Sequence, residues 1–260
     1  MRTPPPLAAP PAMTLIPSAP FLMGTPEREL SGLAKRYGGT RESYREESPQ
    51  HALTIPAFAI ATAPLTVGEY AAFVAAAGAP PPAAWRGTAP PPELHAHPAT
   101  DLSWVDALAY CAWRTAAEAE AGGGWVYRLP TEAEWECAAR GADGRQFPWG
   151  EAWQDGLANT RESELGRTVP VGSYPGGAGP HGLLDSAGTV WEWTLSLDRP
   201  YPYDPADGRE DRGAAGRRII RGGCYANPQG YARCACRFRM PPTMRNEFLG
   251  FRLAADLRGP

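Results

Sequence analysis

A chain of 260 residues with 43% hydrophobic residues is long enough to bury a substantial core, and we expect one domain. The net charge of −3 argues against nucleic acid as the partner, and the lack of any run of about 18 apolar residues argues against a membrane span. Five cysteines are an odd number at low density and no signal-peptide pattern is visible, so the sequence predicts a cytoplasmic protein with free thiols.

Proline and glycine interrupt the chain throughout, with 30 and 29 residues. This composition predicts short elements joined by long loops and argues against a helical bundle. The proline-rich residues 1–12 are expected to be a disordered tail, and residues 26–50 and 80–98 are expected to be surface loops. Short alternating runs predict strands within residues 51–60, 168–174 and 218–223.

Capping boxes mark the starts of three predicted helices, because a hydroxyl can accept from the backbone N–H three residues later while an acid there bonds back. The pairs are Thr66 with Glu69, Ser103 with Asp106, and Thr131 with Glu134. A glycine is expected to end each helix, at Gly78, Gly122 and Gly141. Cys111 and Cys137 fall within helical apolar patterns and are expected in the core. The sequence therefore predicts an α+β chain with few helices.

Five motifs follow one another along the chain: RLPTEAEW at 128–135, PWG at 148–150, GLLDSAGTVWEWT at 182–194, RGG at 221–223 and GFR at 250–252. In order and spacing they resemble the formylglycine-generating enzyme, or sulfatase-modifying factor, family. The stretch MTLIPSAPFLMG is similar to that family's opening strands, with Ala19 where a glycine is usual. The resemblance implies that residues 13–260 form a single-domain elaborated C-type-lectin-like fold with few helices, short twisted sheets, long loops and bound calcium.

The calcium implied by the resemblance is structural. The family's second calcium site maps onto Asp185, Gly188, Val190 and Glu192. Two carboxylates and two backbone carbonyls from a short bent loop are oxygen ligands that suit a hard cation. In the alternative interpretation, Asp185 and Glu192 cap a turn and pair with arginine. The first family site would begin at Asn159 and Thr160, with Glu164 as the candidate acidic partner in a shorter loop.

The best-known members of the family use two cysteines, spaced Cys-x-x-x-x-Cys after the Gly-Gly, to bind copper(I) and oxidise a substrate cysteine with oxygen. Those positions fall on Asn227 and Ala232 here. Cys234 lies two residues beyond the second position, and on a strand it would share one face with Cys236. A strained soft-metal site formed with Cys224 is the alternative, but neither family position holds a cysteine. We therefore do not expect copper chemistry.

A second enzymatic branch of the superfamily makes carbon–sulfur bonds with a nonheme iron held by three histidines on an accompanying helical domain. This sequence has four histidines, at 51, 95, 97 and 181. His95 and His97 share a face if extended, but they lie in a proline-rich segment that predicts a solvated loop. An oxidoreductase of the formylglycine-generating or sulfoxide-synthase type, acting on a thiol substrate, is the alternative function.

The residues between the RGG and GFR motifs show no period and are rich in cysteine, arginine and aromatic side chains. That pattern resembles the variable proteins of diversity-generating retroelements, in which a randomised segment lines an exposed ligand-binding face. Aromatic and arginine side chains are also enriched at interface hot spots. We therefore expect a ligand-binding protein whose protein or small-molecule ligand contacts Cys224, Tyr225, Asn227, Gln229, Tyr231, Arg233, Cys234, Cys236, Phe238, Met240, Arg245 and Asn246.

The alternative for this segment is that half of its side chains complete the core. Alternating geometry favours an inward direction for Arg237 and Arg239, and the GFR motif favours it for Arg252. Arginine interleaved with aromatic residues also suits single-stranded nucleic acid. The acidic total and the lack of a known nucleic-acid module make that partner one we do not expect.

Overall fold

The computed structural model describes residues 10–85 and 87–257. Within them the helices are α1 Leu30–Tyr37, α2 Val67–Ala77, α3 Trp104–Glu120 and α4 Glu132–Arg140. The strands are β1 Met13–Ile16, β2 Pro20–Met23, β3 His51–Thr54, β4 Phe58–Ala61, β5 Trp125–Arg128, β6 Trp191–Leu197, β7 Arg218–Arg221, β8 Arg237–Met240, β9 Leu249–Gly250 and β10 Ala254–Leu257. The predicted α+β class is confirmed, and no helix in the described ranges could cross a membrane. Most of the predicted disordered tail, residues 1–9, lies outside the described residues.

The three predicted capping boxes open α2, α3 and α4. The side chains that accept from the backbone N–H three residues later are those of Thr66, Ser103 and Thr131. Gly78 caps α2 in the left-handed conformation and Gly141 caps α4. The cap of α3 is Ala121, one residue before the predicted glycine.

Residues 26–50 are not the surface loop that the sequence predicted. They contain α1 and a 3-10 helix at Arg41–Glu47. Leu30, Leu33 and Tyr44 form a small buried cluster, against which Ala34 and Tyr37 pack. The ion pair between Glu47 and Arg233 places residues 37–47 beside the C-terminal part of the chain.

The strands form two four-stranded sheets and one two-stranded sheet in the described part of the chain. The first sheet has the order β1-β4-β10-β5, β2 pairs with β3, and the second sheet has the order β8-β7-β6-β9. The strand predicted at residues 168–174 is absent. Pro170 cannot donate to a ladder, and the N–H of Val171 donates instead to the carbonyl of Ala96 at 2.8 Å.

The second sheet positions the candidate site. Strand β6 is buried along its whole length, and Trp193 within it belongs to the main core together with Phe251. Strand β8 lies at one edge of this sheet, and Nη1 of Arg237 donates from it to the carbonyl of Glu46 at 3.1 Å. The segment from β7 to β8 therefore lies between the core and residues 37–47.

Candidate functional site

Arg221, the last residue of β7, fixes the path of the segment that follows it. Its fully buried guanidinium lies 3.0 Å from the carboxylate of Glu132 and 2.7 Å from that of Glu136, both on α4. The same side chain donates to the carbonyls of Cys234 and Cys236, each at 3.1 Å. Removing one partner of such a buried ion pair leaves an uncompensated charge. The turn at 233–236 is thus held by the core.

Two further arginines of the segment are buried in ion pairs. Arg233 donates to both oxygens of Glu47, at 2.8 and 2.6 Å, and lies over the ring of Tyr44. Arg237 donates to both oxygens of Glu132, at 2.6 and 2.9 Å. The inward direction predicted for Arg237 is confirmed. Both pairs bind residues 221–252, which we call the C-terminal segment, to elements far earlier in the sequence.

All five cysteines are free and buried. Burial raises the pKa of Cys234 and of Cys236 to about 12, and it also raises the pKa of Cys224. A buried, protonated thiol is a poor nucleophile and a poor metal ligand. Cys234 and Cys236 do not share the face of a strand: Cys234 lies in a turn and packs on Trp135, and Cys236 joins the main core just before β8.

The twelve candidate ligand-binding residues differ in exposure. The exposed ones are Tyr231 at 42%, Phe238 at 41% and Arg245, whose guanidinium lies 2.8 Å from Asp106. The half-buried ones are Asn227, Gln229, Met240 and Asn246. The expectation of one exposed face needs correction, because the buried ones are Cys224, Tyr225, Arg233, Cys234 and Cys236. Ion pairing and core packing place these side chains inward.

A cleft of about 430 Å³ opens between residues 37–47 and the C-terminal segment. We call it the aromatic cleft, lined by residues 37–39, 42–44, 46–47, 228, 230–231, 233 and 236–239. Tyr231 and Phe238 both pack on Trp191, with ring centroids 6.4 and 6.0 Å from its own. Tyr37 and Tyr44, which no sequence pattern marked as site residues, line the opposite wall. Exposed rings on a buried tryptophan give a rigid surface for a ligand.

A second cleft, of about 700 Å³, adjoins the first. We call it the arginine cleft, lined by residues 42, 45–46, 48, 198–201, 217, 237 and 239. Arg239 lies between the two clefts and pairs with Glu46 and, at 3.3 Å, with Asp198. Its side chain is half-buried at 23% exposure, so the inward direction predicted for Arg239 is confirmed in part.

The loop that precedes β6 contains a buried carboxylate with spare acceptor capacity. Asp185, Gly188 and Thr189 have φ values of 54°, 74° and 62°, which bend the loop sharply. Oδ2 of Asp185 accepts from the N–H of Gly172 at 2.6 Å. Oδ1 is buried and has no hydrogen-bond partner among the described residues. Burial, and to a smaller extent the charge of Glu192, raise the pKa of Asp185.

Glu192, at the start of β6, is mainly paired with an arginine. Its Oε2 accepts from Arg252 at 2.6 Å and from Trp135 at 2.8 Å, and its Oε1 accepts from Arg252 at 2.7 Å. The inward direction predicted for Arg252 is confirmed. Since Oε1 has one donor, a second lone pair remains available on it. This oxygen and the unpartnered Oδ1 of Asp185 are ligands of the kind that a hard cation prefers.

The side chains expected to begin the other calcium site are hydrogen-bonded within their own loop. Oδ1 of Asn159 accepts from Ser163 at 2.8 Å, and its Nδ2 donates to the carbonyl of Arg167 at 3.0 Å. The hydroxyl of Thr160 donates to Glu162 at 2.7 Å. These hydrogen bonds join residues within 159–167 and close that loop.

The sequence profile of the sulfatase-modifying factor enzyme 1-like domain matches residues 2–257, nearly the whole chain. This chain belongs to that family. Hercynine oxygenase of Mycolicibacterium smegmatis is 31% identical over 281 aligned positions, which cover 94% of this chain and 61% of the relative. The formylglycine-generating enzyme of Streptomyces coelicolor is 38% identical over 180 positions, which cover 62% of this chain and 53% of the relative. The chain thus spans little more than half the length of these curated relatives.

Solved structures confirm the predicted C-type-lectin-like fold. The structure of PvdO from Pseudomonas aeruginosa is 28% identical, with a TM-score of 0.69 and 95% coverage of both chains. Variable protein 1 of Treponema denticola is 21% identical, with a TM-score of 0.66 and 95% coverage of both chains. At 21% identity, the likeness to the Treponema protein shows a shared fold alone.

Neither of the two positions at which the resemblance implies a copper-binding cysteine holds one. Asn227 stands at the first, where its Oδ1 accepts from Trp191 at 2.8 Å and from the thiol of Cys224 at 3.1 Å. Ala232 stands at the second and packs in a small buried cluster with Ala187. Both positions therefore hold residues that stabilise the segment.

The histidines do not converge. His95 is exposed, His97 bonds to Thr168 at 3.0 Å, and His51 accepts from the backbone of Tyr203 at 2.9 Å. Across residues 10–85 and 87–257, no three His, Cys, Asp or Glu side chains are grouped to hold a metal ion.

Proposed function

We propose that this chain is a ligand-binding domain of the sulfatase-modifying factor family that works without a copper–thiolate centre. The observation that carries the proposal is the aromatic cleft, where Tyr231 and Phe238 are exposed on a rigid base formed by Trp191. Exposed aromatic side chains lose little conformational freedom on binding and bury a large area. The ligand is a protein segment or a small molecule that contacts these rings.

The state of the thiols supports binding rather than thiol oxidation. Copper(I) coordination needs thiolates, and burial raises the pKa of Cys234 and Cys236 well above neutrality. The family's two copper positions are occupied by Asn227 and Ala232, which take part in hydrogen bonding and packing. A ligand can be bound by the cleft without any of these groups reacting.

We further propose that calcium stabilises the loop before β6. The carboxylates of Asp185 and Glu192 and the carbonyls of Gly188 and Val190 would hold the ion. Calcium would supply positive charge beside the unpartnered oxygen of Asp185. The bent loop, with its left-handed residues, supports this assignment.

We also propose that the exposed positions of the C-terminal segment are diversified by a retroelement. The distribution of roles within the segment supports the idea. Arg221, Arg233 and Arg237 are buried in ion pairs that fix the backbone, whereas Tyr231 and Phe238 can change without disturbing them. A second copy of the coding sequence for residues 221–252 near the gene, differing only at adenines of that copy, is the expected finding. A flanking region without such a copy would refute diversification and leave the cleft proposal intact.

The binding proposal is tested by screening small molecules and peptides for stabilisation of the parent and of a Tyr231→Ala, Phe238→Ala double variant. A ligand at 100 times its Kd stabilises the folded state by about 2.7 kcal/mol. Compounds that raise the melting temperature of the parent should lose that effect in the double variant. A Leu15→Ala, Leu22→Ala variant, which removes exposed apolar side chains elsewhere, should respond as the parent does. Equal stabilisation of all three proteins would place the ligand outside the cleft.

The second candidate function is an oxidoreductase acting on a thiol substrate. The 31% identity to a hercynine oxygenase over 94% of this chain supports the oxidoreductase class. Oxygen uptake should be measured with a cysteine-containing peptide in the presence of copper(I) or iron(II). We expect no uptake above the protein-free control. Metal-dependent uptake that disappears in Cys234→Ser would favour the oxidoreductase over the binding protein.

A further inference from the structure

The aromatic cleft and the arginine cleft are parts of one depression. Both are lined by Glu42, Glu46, Arg237 and Arg239. The ion pair between Glu46 and Arg239 lies at their boundary, and the guanidinium of Arg239 is 5.9 Å from the ring centre of Phe238. A molecule that fills the aromatic cleft therefore reaches the arginines of the arginine cleft.

The arginine cleft carries more positive than negative side chains. It is lined by Arg45, Arg199, Arg217, Arg237 and Arg239 against Glu42, Glu46 and Asp198. Arg237 is neutralised by the buried Glu132, and Asp198 is shared between Arg217 at 2.9 Å and Arg239 at 3.3 Å. Arg199 is exposed and has no ion pair within the described ranges.

An unpaired hydroxyl lies in the same place. Ser48 lines the arginine cleft, and its Oγ is buried without a hydrogen-bond partner in the described part of the chain. Together, the hydroxyl and Arg199 offer donors that the protein itself does not use. Donors of this kind, hydroxyl and guanidinium, are those that recognise carboxylate, sulfonate and phosphate oxygens.

We propose that the two clefts form one site for a small molecule in which an aromatic ring is joined to an anionic oxygen group. The ring packs on Phe238 and Tyr231, and the anion lies beside Arg199 and Arg239. This inference rests on the proposed binding function and names the chemical class of its ligand.

Glu46 determines how strongly the anion binds. Its carboxylate pairs with Arg239 in the ligand-free protein. Because its side chain is 44% exposed, it can rotate into the solvent when a ligand anion pairs with Arg239 instead. Glu46 thus competes with the ligand for Arg239. Replacing it by glutamine removes the competing charge and should increase the affinity for anionic ligands without changing that for neutral ones.

The experiment uses two dyes with the same ring system. Anilinonaphthalene sulfonate carries an anion, and N-phenylnaphthylamine lacks it. Fluorescence titrations at about 150 mM salt, where charges farther apart than about 8 Å are screened, give the Kd of each dye for each variant. Circular dichroism confirms that the surface variants are folded. Glu93→Gln, an exposed acid outside both clefts, is the matched control.

The parent should bind the sulfonate dye about tenfold more tightly than the neutral dye, which corresponds to one charge-assisted contact. Arg199→Gln should remove that preference, Glu46→Gln should increase it about threefold or more, and Phe238→Ala should weaken both dyes. Glu93→Gln should match the parent.

Failure of the anionic ligand class and failure of the cleft as a binding site give different results. If both dyes bind equally and depend on Phe238, the cleft binds ligands but the anionic class is wrong. If the sulfonate dye ignores both Arg199→Gln and Phe238→Ala, it binds elsewhere and the inference fails. If neither dye binds, the inference and the proposed aromatic cleft fail together.

Discussion

Asp185→Asn separates a calcium ligand from a buried acid that merely caps a turn. The substitution keeps the shape of the side chain, and asparagine tolerates the left-handed φ of 54° at this position. At 100 times its Kd, calcium should stabilise the parent by about 2.7 kcal/mol. With about 2–4 °C per kcal/mol for a domain of this size, the melting temperature should rise by about 5–10 °C. The variant should lose most of that rise.

The same variant should behave in the opposite way in a chelator. Burial raises the pKa of Asp185, so the folded state binds the proton more tightly than the unfolded state does. The resulting stabilisation is present below the unfolded value of about 3.9 and is lost as pH rises through the folded pKa. At neutral pH and without calcium, the ionised Asp185 therefore destabilises the folded state. The asparagine variant should then be as stable as the parent or more stable.

Differential scanning calorimetry of both proteins, in calcium and in chelator, provides the comparison. Asp143→Asn, which removes an exposed acid paired with Arg145, is the control and should keep the calcium response. An equal rise in melting temperature for the parent and Asp185→Asn would refute calcium binding at this loop. So would a parent whose melting temperature does not depend on calcium.

Three further predictions concern the segment and its supports. Arg221→Met should destabilise the fold by about 3–5 kcal/mol in urea unfolding, because the carbonyls of Cys234 and Cys236 and Oε2 of Glu136 would each lose a buried donor; a loss below 1 kcal/mol, which is roughly the value of an exposed pair, would contradict the buried contacts. Gly250→Ala should cost about 1–3 kcal/mol in the same assay, since its Cβ would lie 2.4 Å from the carbonyl oxygen of Ala99; unchanged stability would disprove that close contact. The five thiols should react with a disulfide reagent only as fast as the protein unfolds, because all are buried; rapid modification of one thiol in the native state would show an accessible thiolate.

The helices that begin with capping boxes could be predicted because their signals are local. Each box joins residues three positions apart, so Thr66, Ser103 and Thr131 were found from spacing alone. Helix α1 was missed, although Leu30, Leu33 and Tyr37 follow the spacing of a helical apolar stripe. Charged residues around that stripe gave the segment the composition of a loop.

The candidate site could be predicted only in part, because its determinants are distant in sequence. The exposed rings of Tyr231 and Phe238 were among the residues expected to bind a ligand. The burial of Arg233 was not foreseen, since its partner Glu47 is 186 positions away. The second wall of the cleft was missed for the same reason: no local pattern places residues 37–47 beside the C-terminal segment.

The absence of a copper–thiolate centre is the claim that separates the binding function from the oxidoreductase alternative. It can be measured by titrating the protein against a chromophoric copper(I) chelator at neutral pH. We expect that the chelator keeps the copper and that a Cys224→Ser, Cys234→Ser, Cys236→Ser variant gives the same curve. One tightly held copper per chain, lost in Cys234→Ser, would contradict it and establish a thiolate site in a protein that we describe as a ligand binder.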